Sequence, residues 1–378
     1  MRVVLFLGAG FSKPAGFPLM REFRSFAQQL EGYETEKRCL WGAVQYAQRA
    51  CAHIQGDINN IEDIMSALSL TRTIDRKRRL TFEGKTIDAE HAMLHLATLV
   101  WRTYLRIHDT NRIAAVYGQL FKAVRIFRDR RNNRVDVVTT NYDMLSEILL
   151  GATGTAPAPP AGPDRRIPDA RPSKDGPPPK SIYSEAGEQC LHKLHGSANW
   201  FRKRSSYEVY YDDRVTADFV VATPDADVCV PWCTKYLEAL PKDHRPLIVP
   251  PSFLKAYTAG AIRDAWKRAE GAIKEASRLV FIGYSFPPSD TIMKFFLGNA
   301  LAGNRPGCAI TVIDRNTKGV MESLGNILVR SIAEYDVDPI EAEFQRMIGK
   351  GRVFENPHEF ANYLGDMTIK SRHMGPRR

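Results

Sequence analysis

Small and polar residues follow four apolar runs in this chain, and they are the residues best placed for chemistry. The four motifs are Gly8-Ala9-Gly10-Phe11-Ser12, Thr139-Thr140-Asn141-Tyr142-Asp143, His195-Gly196-Ser197 and Gly283-Tyr284-Ser285-Phe286. Parallel strands of an open α/β sheet present their carboxyl ends at one edge, and ligands bind in the crevice there. If the apolar runs are such strands, the motifs meet at that edge. Together they predict a nucleotide site.

The first motif could bind a phosphate group. Gly8 and Gly10 permit a tight turn and a close approach of the backbone to a phosphate, and the N-terminus of a following helix favours an anion. The motif is not a full dinucleotide fingerprint, because Lys13 stands where the third glycine would be. No Lys-Ser/Thr pair typical of triphosphate-binding loops follows it. A plain strand-to-helix turn is the alternative.

Two later motifs carry side chains suited to amide recognition and acid–base work. Asn141 supplies an amide and Asp143 a carboxylate, although either could instead cap the next helix. His195 stands just before Gly196, and a neutral imidazole near pH 7 suits general base catalysis. A purely structural histidine is the alternative.

The last two strand ends offer further contacts with a nucleotide. Gly283 and Ser285 could meet a phosphate or a ribose. Asp290 is assigned to the same site, although it could also cap the helix that follows. Asn316 ends another apolar run and could hold a ribose or an adenine edge.

The sequence predicts neither a metal site nor a serine nucleophile. His192 and His195 are an odd number of residues apart, so in a strand they would face opposite sides. Cys229 and Cys233 are four apart, and no Cys-x-x-Cys pair completes a tetrahedral zinc site. The chain also lacks the Gly-x-Ser-x-Gly elbow of serine hydrolases.

The apolar periodicity indicates the elements that must hold these motifs. Continuous runs at 3–10, 135–140, 278–286 and 308–315 are typical of buried parallel strands, and 190–200, 218–224 and 245–253 also look strand-like. Apolar spacings of three and four predict mainly helices from about Phe17 to Arg131, with Asn59–Asn60 and Asp88 as plausible caps. The predicted fold class is α/β, a Rossmann-like parallel sheet with a large helical insertion.

These patterns divide the chain into regions. Residues 1–20 and 132–330 form the predicted Rossmann-like nucleotide-binding core, and 21–131 form a helical insertion domain. Residues 151–186 are expected to be a Pro-rich mobile loop, because nine of the 23 prolines fall in 151–180. Residues 331–378 are predicted to be a C-terminal helical extension and basic tail.

The composition is that of an ordinary soluble globular protein. Of 378 residues, 44% are hydrophobic and 25% charged, which excludes bulk disorder and a small disulfide scaffold. No run approaches the roughly 20 apolar residues needed to span a bilayer, and six scattered cysteines fit reduced thiols in the cytoplasm. The formal charge of +10 permits an acidic partner such as nucleic acid.

The four motifs, in their order, resemble those of a known family. Gly8–Ser12, Thr139–Asp143, Lys193–Ser197 and Gly283–Phe286 resemble the sirtuin-like domain, and more closely its bacterial branch found in antiphage defence. The segment Ile248–Lys255 and the helix that contains Trp266 are also similar to that branch. The resemblance covers roughly residues 1–320.

This resemblance implies that NAD binds to the sheet. It implies cofactor contacts by Gly8, Ala9, Gly10, Phe11 and Ser12, with Gly283, Ser285 and Asp290 near phosphate or ribose and Asn316 at the adenosine end. It further implies that Asn141 positions the water or the nicotinamide ribose, that Asp143 holds the nicotinamide carboxamide, and that His195 is the base.

Two departures from the deacylating sirtuins favour a different activity. The chain has no four-cysteine zinc module between His195 and Gly283, and Leu19-Met20-Arg21 stands where those enzymes carry Asp-Phe-Arg. The insertion and the missing module resemble NAD-hydrolysing defence proteins. The resemblance therefore implies an NAD⁺ glycohydrolase that releases nicotinamide and ADP-ribose, without zinc. Its gating would come from homo-oligomerisation or from a partner such as a HerA-type ATPase or an Argonaute-like protein.

Two alternatives stay open. An NAD-dependent deacylase or ADP-ribosyltransferase would use the same cofactor site. A DNA-binding or DNA-cleaving subunit of a defence complex would use basic clusters, although solvated helix faces are the more common explanation for such runs. The clusters are Arg72, Arg76, Lys77, Arg78 and Arg79, then Arg125, Arg128, Arg130, Arg131 and Arg134, then Arg377 and Arg378.

Overall fold

The protein is built on a parallel sheet with helices on both faces. Its structure is a computed structural model that describes residues 1–51, 59–75, 78–82, 85–105, 110–130, 132–152, 180–181, 190–203, 209–211, 214–215, 217–222, 227–232, 244–249, 260–287, 290–304, 308–327, 337–341, 358, 361, 362 and 364. No helix among these residues is long and apolar enough to cross a membrane.

Six strands form the central sheet. They are β1 Arg2–Leu7, β4 Arg134–Thr139, β6 Leu191–Lys193, β13 Arg278–Ile282, β14 Ala309–Asp314 and β15 Val337–Glu341. Their spatial order is β15-β14-β13-β1-β4-β6, and every neighbouring pair is parallel. The chain runs outward from β1 to β6 and then returns beside β1 at β13. The strand order therefore reverses between β1 and β13, which is where open α/β sheets bind ligands.

Helices precede and follow these strands along the chain. They are α1 Ala9–Ser12, a 3-10 helix Lys13–Ala15, α2 Phe23–Gln28, α3 Glu34–Cys51, α4 Ile61–Ile74, α5 Ala89–Leu105, α6 Thr110–Asp129, α7 Leu145–Ala152, α8 Gly260–Lys274, α9 Thr291–Ala302 and α10 Thr317–Ile327. Asn60 Oδ1 accepts from the Glu62 N–H at 3.0 Å at the start of α4, and Asp88 Oδ1 accepts from the His91 N–H at 2.8 Å at the start of α5. Two of the caps expected from the sequence are thus confirmed.

The other described strands lie outside the central sheet. They are β2 Arg79–Phe82 with β3 Lys85–Asp88, β5 Lys180–Ser181 with β9 Arg214–Val215, β10 Ala217–Ala222 with β11 Asp227–Trp232, and a three-stranded sheet of β12 His244–Ile248, β7 Gly196–Lys203 and β8 Val209–Tyr211. All of these pairs are antiparallel.

Alternate residues of β1 face two different hydrophobic cores. Val3, Leu5 and Leu7 pack in a cluster with α3 to α6 of the insertion, whereas Val4 and Phe6 pack in a cluster with α8, α9 and α10. Because side chains alternate across a strand, a strand covered on both faces reads as one continuous apolar run. Burial of these side chains at about 25 cal/mol per Å² of apolar surface is the main force that holds the insertion on the sheet.

The predicted fold class, α/β with a Rossmann-like parallel sheet and a helical insertion, is confirmed by this topology. Residues 218–222 of the predicted strand-like segment lie in β10, which pairs with β11 outside the central sheet, and 223–224 lie outside the described residues. The hairpin of β2 and β3 was not expected in the insertion. The division into regions stays a prediction, and most of the Pro-rich segment 151–186 lies outside the described residues.

One expected element at the C-terminal end is wrong in type. Helices were predicted from residue 331, yet β15 is the edge strand beside β14. Val337 and Ile340 lie in parallel register with Ile310 and Ile313. Pro339 is tolerated there because an edge strand leaves one side of its backbone without ladder bonds.

Candidate functional site

Asn141 joins the end of β4 to the turn that follows β1. Its Nδ2 donates to the Gly8 carbonyl at 2.8 Å and to Ser12 Oγ at 3.0 Å. Thr139 fixes the Asn141 backbone, because its Oγ1 accepts from the Asn141 N–H and donates to the Leu7 carbonyl, each at 3.0 Å. The structure therefore brings together three residues that the sequence placed in one site.

The turns after β1 and β13 pack backbone against backbone. A Cβ at Gly8 would lie 2.5 Å from the Gly283 carbonyl oxygen, and a Cβ at Gly283, whose φ is +63°, would lie 2.2 Å from the Phe11 nitrogen. The Gly10 N–H donates to the Gly283 carbonyl oxygen, and the Phe11 N–H donates to the Gly8 carbonyl oxygen, each at 2.9 Å. Close packing alone thus accounts for these glycines, and their contact with a phosphate stays a prediction.

Asp143 begins a buried ionic cluster. Lys193 at the end of β6 donates from Nζ to the Asp143 backbone carbonyl and to Glu147 Oε1 and Oε2, the latter two at 3.0 and 3.2 Å. Asp143 Oδ1 accepts from the Leu145 N–H at 2.9 Å at the start of α7. Its other oxygen, Oδ2, is buried and has no hydrogen bond of normal geometry among the described residues, although the Ser12 hydroxyl lies close enough to favour the carboxylate.

Burial dominates the protonation of this cluster. It raises the pKa of Asp143 and of Glu147 above their usual values, and the Lys193 charge opposes both shifts. Desolvation disfavours the charged form of a carboxyl, whereas a nearby cation favours it. Perturbed carboxyls in one buried cluster are typical of functional sites.

His195 lies at the end of β6, beside the end of β4. The Leu194 N–H donates to the Thr139 carbonyl at 2.9 Å, which places the following residue, His195, at the same edge. Trp266 of α8 donates from Nε1 to the Leu194 carbonyl at 2.8 Å. The His195 ring lies 6.3 Å from the Tyr142 ring and 6.4 Å from the Trp266 ring, between centroids.

Two further predicted residues, Asp290 and Asn316, have structural roles within the protein. Asp290 accepts from the Tyr284 hydroxyl at 2.8 Å and caps α9, and the Asn316 side-chain oxygen caps α10 by accepting from the Gly319 N–H at 3.2 Å. Ser285 is exposed, and the neighbouring Phe286 has φ +50°, a left-handed conformation rare for a bulky residue. Contacts of these residues with a nucleotide stay predictions.

The insertion covers the turn after β1. Tyr117 of α6 donates to the Phe11 carbonyl, and Tyr104 of α5 donates to the Pro18 carbonyl at 3.0 Å. The polar side chains beneath are nearly sealed, since Ser12, Asn141, Asp143 and His195 are 2%, 4%, 1% and 1% exposed. One cavity lies between α8 and α9 and shares Trp266 with the surroundings of His195, and another lies between α2 and α3.

The basic clusters are partly used in contacts within the chain. Arg134 pairs with Asp136 at 3.2 Å, Arg125 with Asp129 at 3.8 Å, and Arg130 donates to Asn362. Arg76, Lys77, Arg131, Arg377 and Arg378 lie outside the described residues. A nucleic-acid surface stays a prediction.

Sequence reasoning gave no role to Glu147 or Lys193. The available signals were a lysine within a strand of the buried sheet and a glutamate within the apolar helix Leu145–Ala152, four residues after Asp143. Charged side chains are almost never fully buried unless they are paired, so the two could have been matched to each other.

The fold and the site define an α/β protein with a buried polar cluster at the edge where its strand order reverses. No family model and no curated protein matches the chain. A solved Sir2 homologue with a histidine-to-asparagine substitution, in complex with ADP-ribose, is similar over 96% of this chain and 92% of its own, with 13% identity and a TM-score of 0.39. A second structure, described as the structural basis for the mechanism and regulation of Sir2 enzymes, is similar over 96% of this chain and 93% of its own, with 10% identity and a TM-score of 0.35. Nothing about the activity of this chain follows from such loose superpositions.

Proposed function

We propose that this chain is an NAD⁺ hydrolase that releases nicotinamide and ADP-ribose. The observation that carries the proposal is the joint burial of Ser12, Asn141, Asp143 and His195 at the ends of β1, β4 and β6. Burial of polar groups costs free energy. Their concentration at the ligand-binding edge of the sheet, beside the β1–β13 reversal, fits a catalytic site better than a structural one.

The residues present fit the nicotinamide end of NAD⁺. The buried Asp143 Oδ2 can accept from the carboxamide N–H of nicotinamide. Asn141 presents an amide that orients a ribose hydroxyl or a water, and Ser12 supplies a hydroxyl beside it. Nicotinamide leaves NAD⁺ as a neutral group, which gives the ribose an oxocarbenium character like that in glycoside hydrolysis.

His195 is the proposed general base. It removes a proton from the water that attacks the ribose, and the apolar walls of Tyr142 and Trp266 exclude other solvent from the ring. The negative charge of Asp143 favours binding of the cationic nicotinamide ring, and nicotinamide leaves as a neutral molecule when the electrons of the bond to the ribose pass to the ring nitrogen.

A nearly sealed site supports gated activity. Asn141 and His195 have almost no contact with solvent, so a dinucleotide enters only after the covering residues move. Constant NAD⁺ loss is toxic to a cell, which makes such a closed state useful in an antiphage effector. We propose that homo-oligomerisation or a HerA-type ATPase or Argonaute-like partner opens the site.

Nicotinamide release measured by mass spectrometry tests this function. The purified chain is incubated with NAD⁺ alone and with each candidate partner. His195→Ala should lower the rate by about 10²–10⁴-fold, whereas His91→Ala, whose exposed ring pairs with Asp88, should not change it. Unchanged turnover in His195→Ala would remove the mechanism. Release that requires an acyl-lysine peptide would instead favour the deacylase alternative.

A further inference from the structure

One buried ammonium group pairs with the Glu147 carboxylate and acts on the Asp143 carboxyl through its charge. Lys193 and Glu147 are 1% and 0% exposed, and the Lys193 Nζ lies 3.0 Å from Glu147 Oε1. Lys193 also donates to the backbone carbonyl of Asp143. Among the described charged residues, Lys193 is the cation that acts on both carboxyls.

The formal charge of this cluster is −1, since Asp143 and Glu147 each contribute −1 and Lys193 contributes +1. Ionic interactions are screened only weakly in a buried site, so an uncompensated charge there acts strongly on a bound ligand. The Asp143 oxygen Oδ2 has no hydrogen bond of normal geometry within the described chain, which leaves it open to a ligand.

We propose that the Glu147–Lys193 pair sets the charge around Asp143, so that the site prefers the cationic nicotinamide ring of NAD⁺ over the neutral ring of NADH. The proposal rests on the proposed function and deepens it, because it assigns the basis of ligand choice. Glu147 balances the charge of Lys193, and the Asp143 carboxylate therefore keeps its full negative charge for the ligand. Without the Glu147 charge, Lys193 would neutralise Asp143, the cluster would have no net charge, and the preference for NAD⁺ over NADH would vanish.

The backbone contact gives Lys193 a positioning role as well. Its Nζ holds the Asp143 carbonyl, and Glu147 lies four residues after Asp143, one turn along α7. Ser197 Oγ approaches Glu147 Oε1 at 3.5 Å and carries no charge. Ser197→Ala is therefore a matched control that disturbs the packing of the cluster without changing its charge.

Equilibrium binding of three ligands tests the proposal at about pH 8. The ligands are carba-NAD⁺, whose carbocyclic ribose resists hydrolysis, its reduced neutral counterpart, and ADP-ribose, which lacks the nicotinamide ring. The variants are Glu147→Gln with formal charge 0, the double variant Glu147→Gln/Lys193→Met with −1, and Lys193→Met with −2. Thermal melts report which of them fold.

The ratio of oxidised to reduced affinity should follow the formal charge. The full chain should favour carba-NAD⁺ by about tenfold or more, Glu147→Gln should lose about tenfold of that ratio, and the double variant should regain it. Lys193→Met should keep a ratio at least equal to that of the full chain, because the higher pKa of both carboxyls reduces its formal charge of −2. ADP-ribose affinity should change by less than about twofold, because that ligand has no charged ring.

Two results obtained with the variants would overturn the proposal. One is a parallel change in the affinities for all three ligands, and the other is a double variant that behaves like Glu147→Gln, since a structural role predicts no recovery. A wild-type ratio near one overturns it without any variant. If the unmodified chain binds none of the three ligands, either alone or with each candidate partner, the proposed function itself fails. If it binds them with ratios that no variant alters, only the charge assignment fails.

Discussion

The Asn141 side-chain amide donates to the Gly8 carbonyl at 2.8 Å and so ties the end of β4 to the turn after β1. The same nitrogen donates to Ser12 Oγ at 3.0 Å. Both hydrogen atoms of this amide are therefore engaged by the protein, and its carbonyl oxygen is the atom that can turn to a ligand or water. One side chain thus couples the shape of the site to its chemistry.

Asn141→Ala should impair both stability and activity. The change removes the Asn141 donor from the Ser12 hydroxyl and from the Gly8 carbonyl, which keeps only the Phe11 N–H, and this costs about 1–3 kcal/mol of unfolding free energy. It should also lower nicotinamide release by about 10²-fold or more, the usual cost of one oriented polar group at a reacting centre. Urea denaturation and the release assay measure the two effects. Asn133→Ala, which loses a bond to the Phe127 carbonyl far from the site, should spare the activity.

Gly283→Ala tests the packing of the two turns. The new Cβ would lie 2.2 Å from the Phe11 nitrogen at a φ of +63°, so both overpacking and backbone strain oppose it. We expect a loss of about 3 kcal/mol in unfolding free energy. Gly298→Ala in α9 meets nothing within 4 Å and should stabilise the protein by about 0.5–1 kcal/mol. Equal effects of the two substitutions would contradict the assigned packing.

The sequence predicts the central strands well because they are buried on both faces. Residues 3–7 contain no polar side chain, and such a continuous apolar run is typical of a strand that is covered on both faces. The edge strand β15 could not be predicted in this way, since its sequence has only two strongly apolar residues, Val337 and Ile340. It is defined by its parallel pairing with β14. Such pairing is a long-range property that local periodicity does not contain.

The site is predictable where chemistry is visible in residue type, as with Asn141 and His195 at strand ends. The site is harder to predict from sequence where two residues that are distant along the chain act together. Lys193 and Glu147 are 46 positions apart, and each alone looks like an ordinary charged residue. The caps formed by Asp290 and Asn316 show the opposite problem, because a polar residue after a strand serves a helix N-terminus as readily as a ligand.

Asp136→Asn should reduce stability at neutral pH and less so in acid. Burial would raise the pKa of Asp136, but hydrogen bonds from His192 and Arg2 lower it below its usual value. A depressed native pKa gives stability that is present above the unfolded pKa near 3.9 and is lost as the pH falls through the native value. We expect a deficit of about 3 kcal/mol at pH 7 that narrows below about pH 4.

Urea titrations across that range measure the Asp136 effect. Asp129→Asn provides the control, because the Asp129 carboxylate is 68% exposed and pairs with Arg125 at 3.8 Å. Exposed pairs contribute little, so this control should change the unfolding free energy by less than about 0.5 kcal/mol at any pH. A deficit in Asp136→Asn that does not depend on pH would mean that lost packing, rather than charge, is responsible.

Lys193→Met should be most damaging at high pH. The substitution leaves Asp143 and Glu147 buried without a cation, which should cost about 3–5 kcal/mol of unfolding free energy near pH 8. Burial already raises the pKa of both carboxyls, and loss of the ammonium raises each further. A raised native pKa gives stability that is present below the unfolded pKa and is lost as the pH rises through the native value, so the deficit should shrink towards about pH 5.

Lys274→Met, which breaks an exposed pair with Glu270, is the control and should show neither a deficit of this size nor its dependence on pH. A deficit of equal size at pH 5 and pH 8 would show that Lys193 supports the fold by its packing and not by its charge.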